Sequence, residues 1–195
     1  IGINKPPVYV TIDPAILLSP PNANYINEIL SRENIPKNRK LVSISIRSWP
    51  LLYSNQYKKL INVLARVADY IVSRLNAFVV FIPMQFAGEN NDNDVEKEVF
   101  WSMRCKKYAG ILANKYTPQE LLGIIGQTDM MVGMRLHSLI FAAAMNVPMV
   151  GLVYDPKVKG FLEIIGQEKY SININDVDYT TLVSKIDSIW NNKEE

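Results

Sequence analysis

The sequence predicts an α/β protein: a doubly wound, mostly parallel, Rossmann-like sheet with helices on both faces. Three observations carry that expectation. From Lys40 onward, short β-rich runs alternate with stretches of helical periodicity, the pattern of repeated βα units. The runs are apolar throughout, Phe78-Val79-Val80-Phe81-Ile82 most plainly, as in strands covered on both faces. Capping residues mark several helix starts, and Thr117-Pro118-Gln119-Glu120 has a capping Thr, a Pro at the first helical position and a Glu at the third.

Taken in order, Val8-Tyr9-Val10-Thr11-Ile12 reads as a strand arriving from something earlier. With Ile1 rather than Met at its start, the chain is expected to be a fragment of a longer protein. The prolines of residues 13–21 predict an extended connection between domains, and residues 22–34 a helix. Residues 1–37 are therefore expected to be the end of a preceding domain plus linker and helix, and 38–195 the Rossmann-like domain. Within it, 41–46 is a strand, Ser54 caps a helix reaching about Asn76, and 78–82 is a second strand. Asn93 followed by Glu96 predicts a capping box and a helix through about Lys106. A short strand at 109–112, a helix from Thr117 to about Gln127 and a strand at 129–132 come next. Then follow a helix at 135–146, a strand at 148–153, a helix capped by Asp155 and ending near Gly166, and a helix at 179–191. The sheet should hold five or six strands. Neither an internal repeat nor a low-complexity tract interrupts it.

Composition excludes several classes of function. Lys and Arg number 21 against 19 Asp and Glu, a formal charge of +2 over 195 residues, which supplies no broad footprint for nucleic acid. One cysteine and one histidine leave no disulfide framework and no zinc cluster. Cys105 reads as a partly buried helix residue, and Asp92-Asn93-Asp94 as turn and cap chemistry rather than a metal site. No metal or cofactor is expected. Without an apolar run of about 20 residues or a signal-peptide pattern, the chain is expected to be cytoplasmic, with membrane contact at most peripheral.

Ligands of open α/β sheets bind beyond the carboxyl ends of the strands, so the residues there are the candidates. Arg47 follows the first core strand, Pro83-Met84-Gln85 the second, Gly133-Met134-Arg135-Leu136-His137 the fourth, and Tyr154-Asp155-Pro156-Lys157 the fifth. The Gly133 turn is the sharpest signal. The helix it opens has no Ser, Thr, Asp or Asn ahead of Arg135 to satisfy its first N–H groups, so the positive helix end and a flanking arginine form an anion site. Arg135 and His137 are two residues apart and converge only at the helix mouth. The residues Leu136, Leu139, Ile140, Ala143 and Val147 repeat at helical spacing as core. Bland alternatives stand beside each: a hydrogen-bonded histidine, a surface ion pair for Arg47, a plain cap for Asp155, a solvated Lys157. Trp49, Tyr53 and Phe86 flank the same edge and could line a sugar pocket or simply pack.

The run Asp129-Met130-Met131-Val132-Gly133-Met134-Arg135-Leu136-His137-Ser138-Leu139-Ile140-Phe141-Ala142-Ala143, then Val147-Pro148 and Tyr154-Asp155-Pro156-Lys157-Val158, resembles the polysaccharide pyruvyltransferase family. Asp13-Pro14-Ala15, Ser43-Ile44-Ser45-Ile46-Arg47 and Ile82-Pro83-Met84-Gln85 extend the likeness over nearly the whole chain. The resemblance implies the C-terminal domain of a GT-B fold, with an N-terminal domain of the same protein completing the enzyme and the fragment alone inactive. Residues 38–195 would then be a phosphoenolpyruvate-binding domain, phosphoenolpyruvate being a co-substrate. The activity implied is transfer of pyruvate to a sugar of a cell-wall or exopolysaccharide precursor as a ketal, releasing phosphate. The sugar acceptor implied by the resemblance is carried on a lipid at the inner face of the membrane.

The family holds phosphoenolpyruvate through positions that match Arg47, Arg135, Leu136 and His137, beside Gly133, Tyr154, Asp155 and Lys157 of the strand-end series. Catalysis is expected from Arg135 and His137, the latter as proton donor or as phosphate ligand. The expected geometry is a hollow shared by Arg47, Arg135 and the helix amides. Two other readings fit the same residues: a GT-B glycosyltransferase domain binding a nucleotide-sugar donor, and a non-catalytic anion-binding module.

Overall fold

Every strand expected after Lys40 is present, because β-branched and apolar side chains filling both faces of a pleated ribbon are stable only inside a sheet. The computed structural model describes residue 9 and residues 11–48, 55–86 and 91–191. Its strands are β1 (Leu41–Ser45), β2 (Phe78–Phe81), β3 (Ala109–Ile111), β4 (Met130–Gly133), β5 (Met149–Val153) and β6 (Ser171–Asn173). They form one sheet in the order β3-β2-β1-β4-β5-β6, with every pairing parallel. The helices are α1 (Ala23–Arg32), α2 (Asn55–Arg74), α3 (Asp92–Ser102), α4 (Pro118–Ile125), α5 (Leu136–Ala144), α6 (Pro156–Ile164) and α7 (Tyr179–Asn191).

Alternate strand residues feed two cores. Val42, Ile44, Val79, Phe81 and Val132 pack with side chains of α2, α3 and α7. Leu41, Phe78, Val80, Met131 and Met149 pack with those of α1, α4, α5 and α6. The sheet grows one way from β1 through β2 to β3 and the other way from β4 through β5 to β6. Since parallel crossovers are right-handed, this reversal puts their helices on opposite faces. It also opens a crevice between the carboxyl ends of β1 and β4, the switch point at which such sheets bind ligands.

Several local expectations hold. Thr117 and Glu120 form the full capping box of α4 and Asp155 caps α6, while the helix expected over residues 22–34 is α1, with Asn22 just outside it as its cap. Others are corrected. Residues 13–21 are not simply extended: Pro14–Leu17 is a turn of 3-10 helix capped by Asp13, whose Oδ1 accepts from the Ala15 N–H at 2.9 Å. Proline is excluded from helix interiors but suits the first helical position, and Asp-Pro exploits that. Ala15, Ile16 and Leu18 of this segment pack against the core of α5. Helix α3 is capped by Asn91, not Asn93, and ends at Ser102 rather than near Lys106. Asn93 lies inside it and Glu96 is fully buried, so their capping box does not form. Cys105 is half-buried as expected but lies outside that helix, where its N–H donates to Asp69. Strand β6 is additional to those expected: it has one buried residue, Ile172, and so no apolar run to announce it.

Tyr9, Thr11 and Ile12 join no strand, and Val8 and Val10, the rest of that expected strand, lie outside the described residues. So do Ser54, Trp49 and Tyr53. Among the described residues no helix is long and apolar enough to cross a membrane.

Candidate functional site

Side chains of the first turn of α5 lie against the end of β4, and glycine permits it. A Cβ on Gly133 would meet Leu139 Cδ2 at 2.7 Å and Ser138 Oγ at 2.9 Å. Gly133→Ala should therefore overpack the helix mouth and cost about 1–3 kcal/mol, measurable as a lower urea midpoint. Arg135 occupies the cap position of α5, and among the described residues no side chain caps the helix there. The hydroxyl of Ser138 instead donates to the Arg135 carbonyl at 2.7 Å. The positive end of α5 thus opens at the switch point with Arg135 and His137 beside it.

Arg135 does not stand as an isolated cation. Its Nε donates to both carboxylate oxygens of Asp92, at 3.1 and 2.9 Å, and its Nη2 to Oδ1 at 2.5 Å. The arginine side chain is 15% exposed and the aspartate wholly buried. Asp92 also accepts the N–H groups of Met84 and Gln85, at 3.2 and 3.0 Å, just beyond β2. One turn further along α3, Glu96 Oε1 accepts the Ile46 N–H at 3.0 Å, just beyond β1. Two buried acids on one helix face therefore tie together the carboxyl ends of β1, β2 and β4. Bidentate pairing holds the guanidinium plane in one orientation.

Burial shifts both acids in the same direction. It raises the Asp92 carboxyl above the ordinary range, against the opposing pull of Arg135 and two amides. It raises Glu96 further, opposed by the Ile46 amide and reinforced by the charge of Asp92. Oε2 of Glu96 has no partner among the described residues. An acid whose pKa is higher folded than unfolded favours the folded state at low pH, and that contribution is lost as pH rises through the folded value. Glu96→Gln should consequently change stability little near pH 4 and raise it at pH 8. Urea melts at the two pH values check this, and an equal effect at both would refute it.

Arg135 and His137 face a cavity of about 470 Å³, with Gln85 and Tyr116 as its other polar walls and Leu18 and Phe141 on the apolar side. The His137 ring sits 6.3 Å from that of Phe141. The Tyr116 hydroxyl donates to Glu33 at 2.5 Å, and burial together with that carboxylate pushes the phenol well above its usual pKa. Glu33 also accepts the N–H groups of Ala113 and Asn114, fixing the turn that presents Tyr116.

Arg47 is placed differently. Its Nη1 donates to the Tyr154 hydroxyl at 2.9 Å and its guanidinium lies 4.8 Å above that ring, so it bridges the ends of β1 and β5. It is not among the residues lining the cavity of Arg135 and His137. Asp155 accepts the Lys157 N–H at 2.9 Å as a helix cap, and the Lys157 side chain is exposed. Gly133 is buried in β4, and Leu136 packs on the α5 core. Phe86 is half-buried and does not line the cavity.

Asp92, Glu96 and Tyr116 were missed as site residues. The spacing of Asp92 and Glu96, four apart on one helix face, was available, but beginning the helix at Asn93 placed Asp92 in a loop. Among the described residues no cluster of His, Cys, Asp and Glu is arranged to hold a metal ion.

Comparison with known proteins gives three findings. A family model described as polysaccharide pyruvyl transferase matches residues 1–156. No curated protein matches by sequence. Among solved structures, Escherichia coli ADP-heptose LPS heptosyltransferase II is similar at a TM-score of 0.67 and 10% identity, over 99% of this chain and 57% of that one. A glycosyl transferase of family 9 from Veillonella parvula DSM 2008 is similar at 0.60 and 15%, over 86% and 51%. A UDP-N-acetylglucosamine 2-epimerase, so described provisionally, from Listeria monocytogenes is similar at 0.57 and 13%, over 85% and 39%. The chain spans little more than half the length of the first two and less of the third. At such identities the likeness concerns the fold, the doubly wound sheet of a GT-B half.

Proposed function

The chain belongs to the polysaccharide pyruvyl transferase family, and from that premise we propose that its switch-point cavity binds phosphoenolpyruvate for transfer of pyruvate to a sugar of a cell-wall or exopolysaccharide precursor. The observation that carries the reading is Arg135, held rigidly by buried Asp92 at the uncapped start of α5, with His137 on the same cavity wall. A guanidinium and a helix N-terminus are two donors suited to phosphate or carboxylate oxygens.

In the proposed reaction, two sugar hydroxyl oxygens bond to C2 of the enolpyruvyl group and its bond to the phosphate oxygen breaks. The methylene carbon takes one proton to become methyl, and inorganic phosphate leaves with the other. His137 is the side chain proposed to move a proton or to hold the phosphate. Arg47, paired with Tyr154 at the neighbouring strand ends, is proposed to contact the substrate's second anionic group or the acceptor.

The apolar side of the cavity, formed by residues such as Leu18 and Phe141, gives more room than a three-carbon phosphoester fills. That favours, as a second reading, a nucleotide-sugar donor whose base would occupy the apolar part. Calorimetric titration of the full-length protein separates the two. Binding of phosphoenolpyruvate without binding of nucleotide sugars is expected, and the reverse pattern overturns the pyruvyl reading.

A further inference from the structure

The segment between β3 and α4 is fastened at both ends by carboxylates. Glu33, just past the end of α1, accepts the N–H groups of Ala113 and Asn114 at 2.8 and 3.2 Å, the Asn114 side-chain amide at 2.8 Å and the Tyr116 hydroxyl at 2.5 Å. Glu120 accepts the Thr117 N–H and hydroxyl at 2.7 and 2.8 Å, and the hydroxyl of Tyr25 in α1 at 2.6 Å. Tyr116, between these two clamps, is half-buried and lines the switch-point cavity. A side chain already held in place loses little freedom when a ligand binds, so such a wall is pre-organised.

The hydroxyl of Tyr116 has a defined polarity. Burial and the Glu33 carboxylate keep the phenol protonated, and its proton is directed at Glu33. Burial would raise the Glu33 carboxyl as well, but the amides of Ala113 and Asn114 and the phenol outweigh it and hold Glu33 below the ordinary range, as a carboxylate. A hydroxyl has one hydrogen to donate and two lone pairs. The Tyr116 oxygen is therefore left as an acceptor, and donation to a carboxylate polarises it and strengthens that capacity. The Arg135 guanidinium on the same cavity has only donors. Ionised phosphoenolpyruvate matches the arginine but has no O–H to offer the tyrosine. A sugar has several, and its less polar ring faces suit the apolar wall of Leu18, Pro118, Leu121 and Phe141.

We infer that Tyr116 selects the acceptor sugar: its oxygen accepts a hydrogen bond from one sugar hydroxyl while its ring and the neighbouring apolar side chains hold the sugar ring. Glu33 is the positioning residue behind it. The inference rests on the pyruvyl-transfer reading and adds where the second substrate lies, in the cavity that Arg135 and His137 also line. A site built to hydrogen-bond a substrate hydroxyl discriminates strongly against analogues that lack it, so one tyrosine can set which sugars are accepted.

The test uses the full-length protein with phosphoenolpyruvate and the p-nitrophenyl glycosides of glucose, galactose, mannose and N-acetylglucosamine. Phosphate release gives KM for each glycoside, and calorimetry gives the affinity for phosphoenolpyruvate. The parent, Tyr116→Phe and Tyr116→Leu are compared, with folding verified by circular dichroism; the phenylalanine removes one hydroxyl and keeps the ring. At least one glycoside should be used, with its KM raised about tenfold by Tyr116→Phe and further by Tyr116→Leu, while phosphoenolpyruvate affinity stays at the parental value. An unchanged KM in Tyr116→Phe overturns the proposal. So does a matching loss of phosphoenolpyruvate affinity, which would give Tyr116 to the donor or to the fold. If phosphoenolpyruvate is bound but no glycoside is used, the sugar assignment falls and the anion site stands. If neither is bound, the pyruvyl reading falls with it. Binding of uridine monophosphate that is lost in Tyr116→Phe would assign the wall to a nucleotide and also overturn the proposal.

Discussion

Arg135→Met in the full-length protein is expected to lower phosphoenolpyruvate affinity at least about a hundredfold, because charge-assisted hydrogen bonds contribute about 1.5–3 kcal/mol each and a bound anion would lose more than one. Calorimetry reads this directly, and unchanged affinity would sink the proposed site. The same substitution strands Asp92, which is wholly buried, and removing one partner of a buried pair costs about 3–5 kcal/mol of stability. The two effects can be separated. In the double variant Asp92→Asn/Arg135→Met the stranded charge is gone, while the asparagine carbonyl can still accept from the amides of Met84 and Gln85, which Asp92 now serves. Most of the stability should return in urea titrations and none of the affinity. Recovery of both would mean that Arg135 acts only through the fold.

His137→Gln should do the opposite: leave phosphoenolpyruvate binding largely intact and reduce turnover. Positioned acid–base groups contribute about 10²–10⁴ in rate, and glutamine can hydrogen-bond but cannot exchange a proton near neutral pH. The side chain is exposed at the cavity wall, and among the described residues its ring contact is with Phe141, so the fold should tolerate the change. Phosphate release measured against phosphoenolpyruvate concentration divides the outcome. A fall in kcat with KM little changed assigns His137 to proton transfer, whereas a rise in KM alone assigns it to phosphate binding. Parental turnover and affinity would remove it from the site.

Much of the architecture was legible beforehand because its causes are local. Apolar runs such as residues 78–82 demand a covered sheet, and Thr117-Pro118-Gln119-Glu120 carries a helix start within itself. The strand-end rule then found Arg135 and His137 together, and the uncapped start of α5 is as expected. Where local signals are ambiguous, tertiary packing decides. Asn91 and Asn93 both suit a cap, and the choice turned on whether Asp92 and Glu96 could be buried, which depends on residues far away in sequence. The segment beginning Asp13-Pro14 carries prolines that suggest an extended chain because proline weakens helices in general, although it suits their first position, where Pro14 stands.

From residue order alone come the parallel, doubly wound class of the sheet, the glycine turn before α5 and a cation just after β1 and β4. Only the folded chain decided how those cations are used. Arg135 lies 43 positions from Asp92 and Arg47 lies 107 from Tyr154, and side-chain pairing over such separations depends on strand order and on which helix covers each strand end. One guanidinium is thereby fastened to a buried carboxylate in the cavity of His137, and the other is drawn onto a tyrosine beside it. A spacing pattern contains no information about either partnership, because the forces that choose them act through space after the sheet has closed.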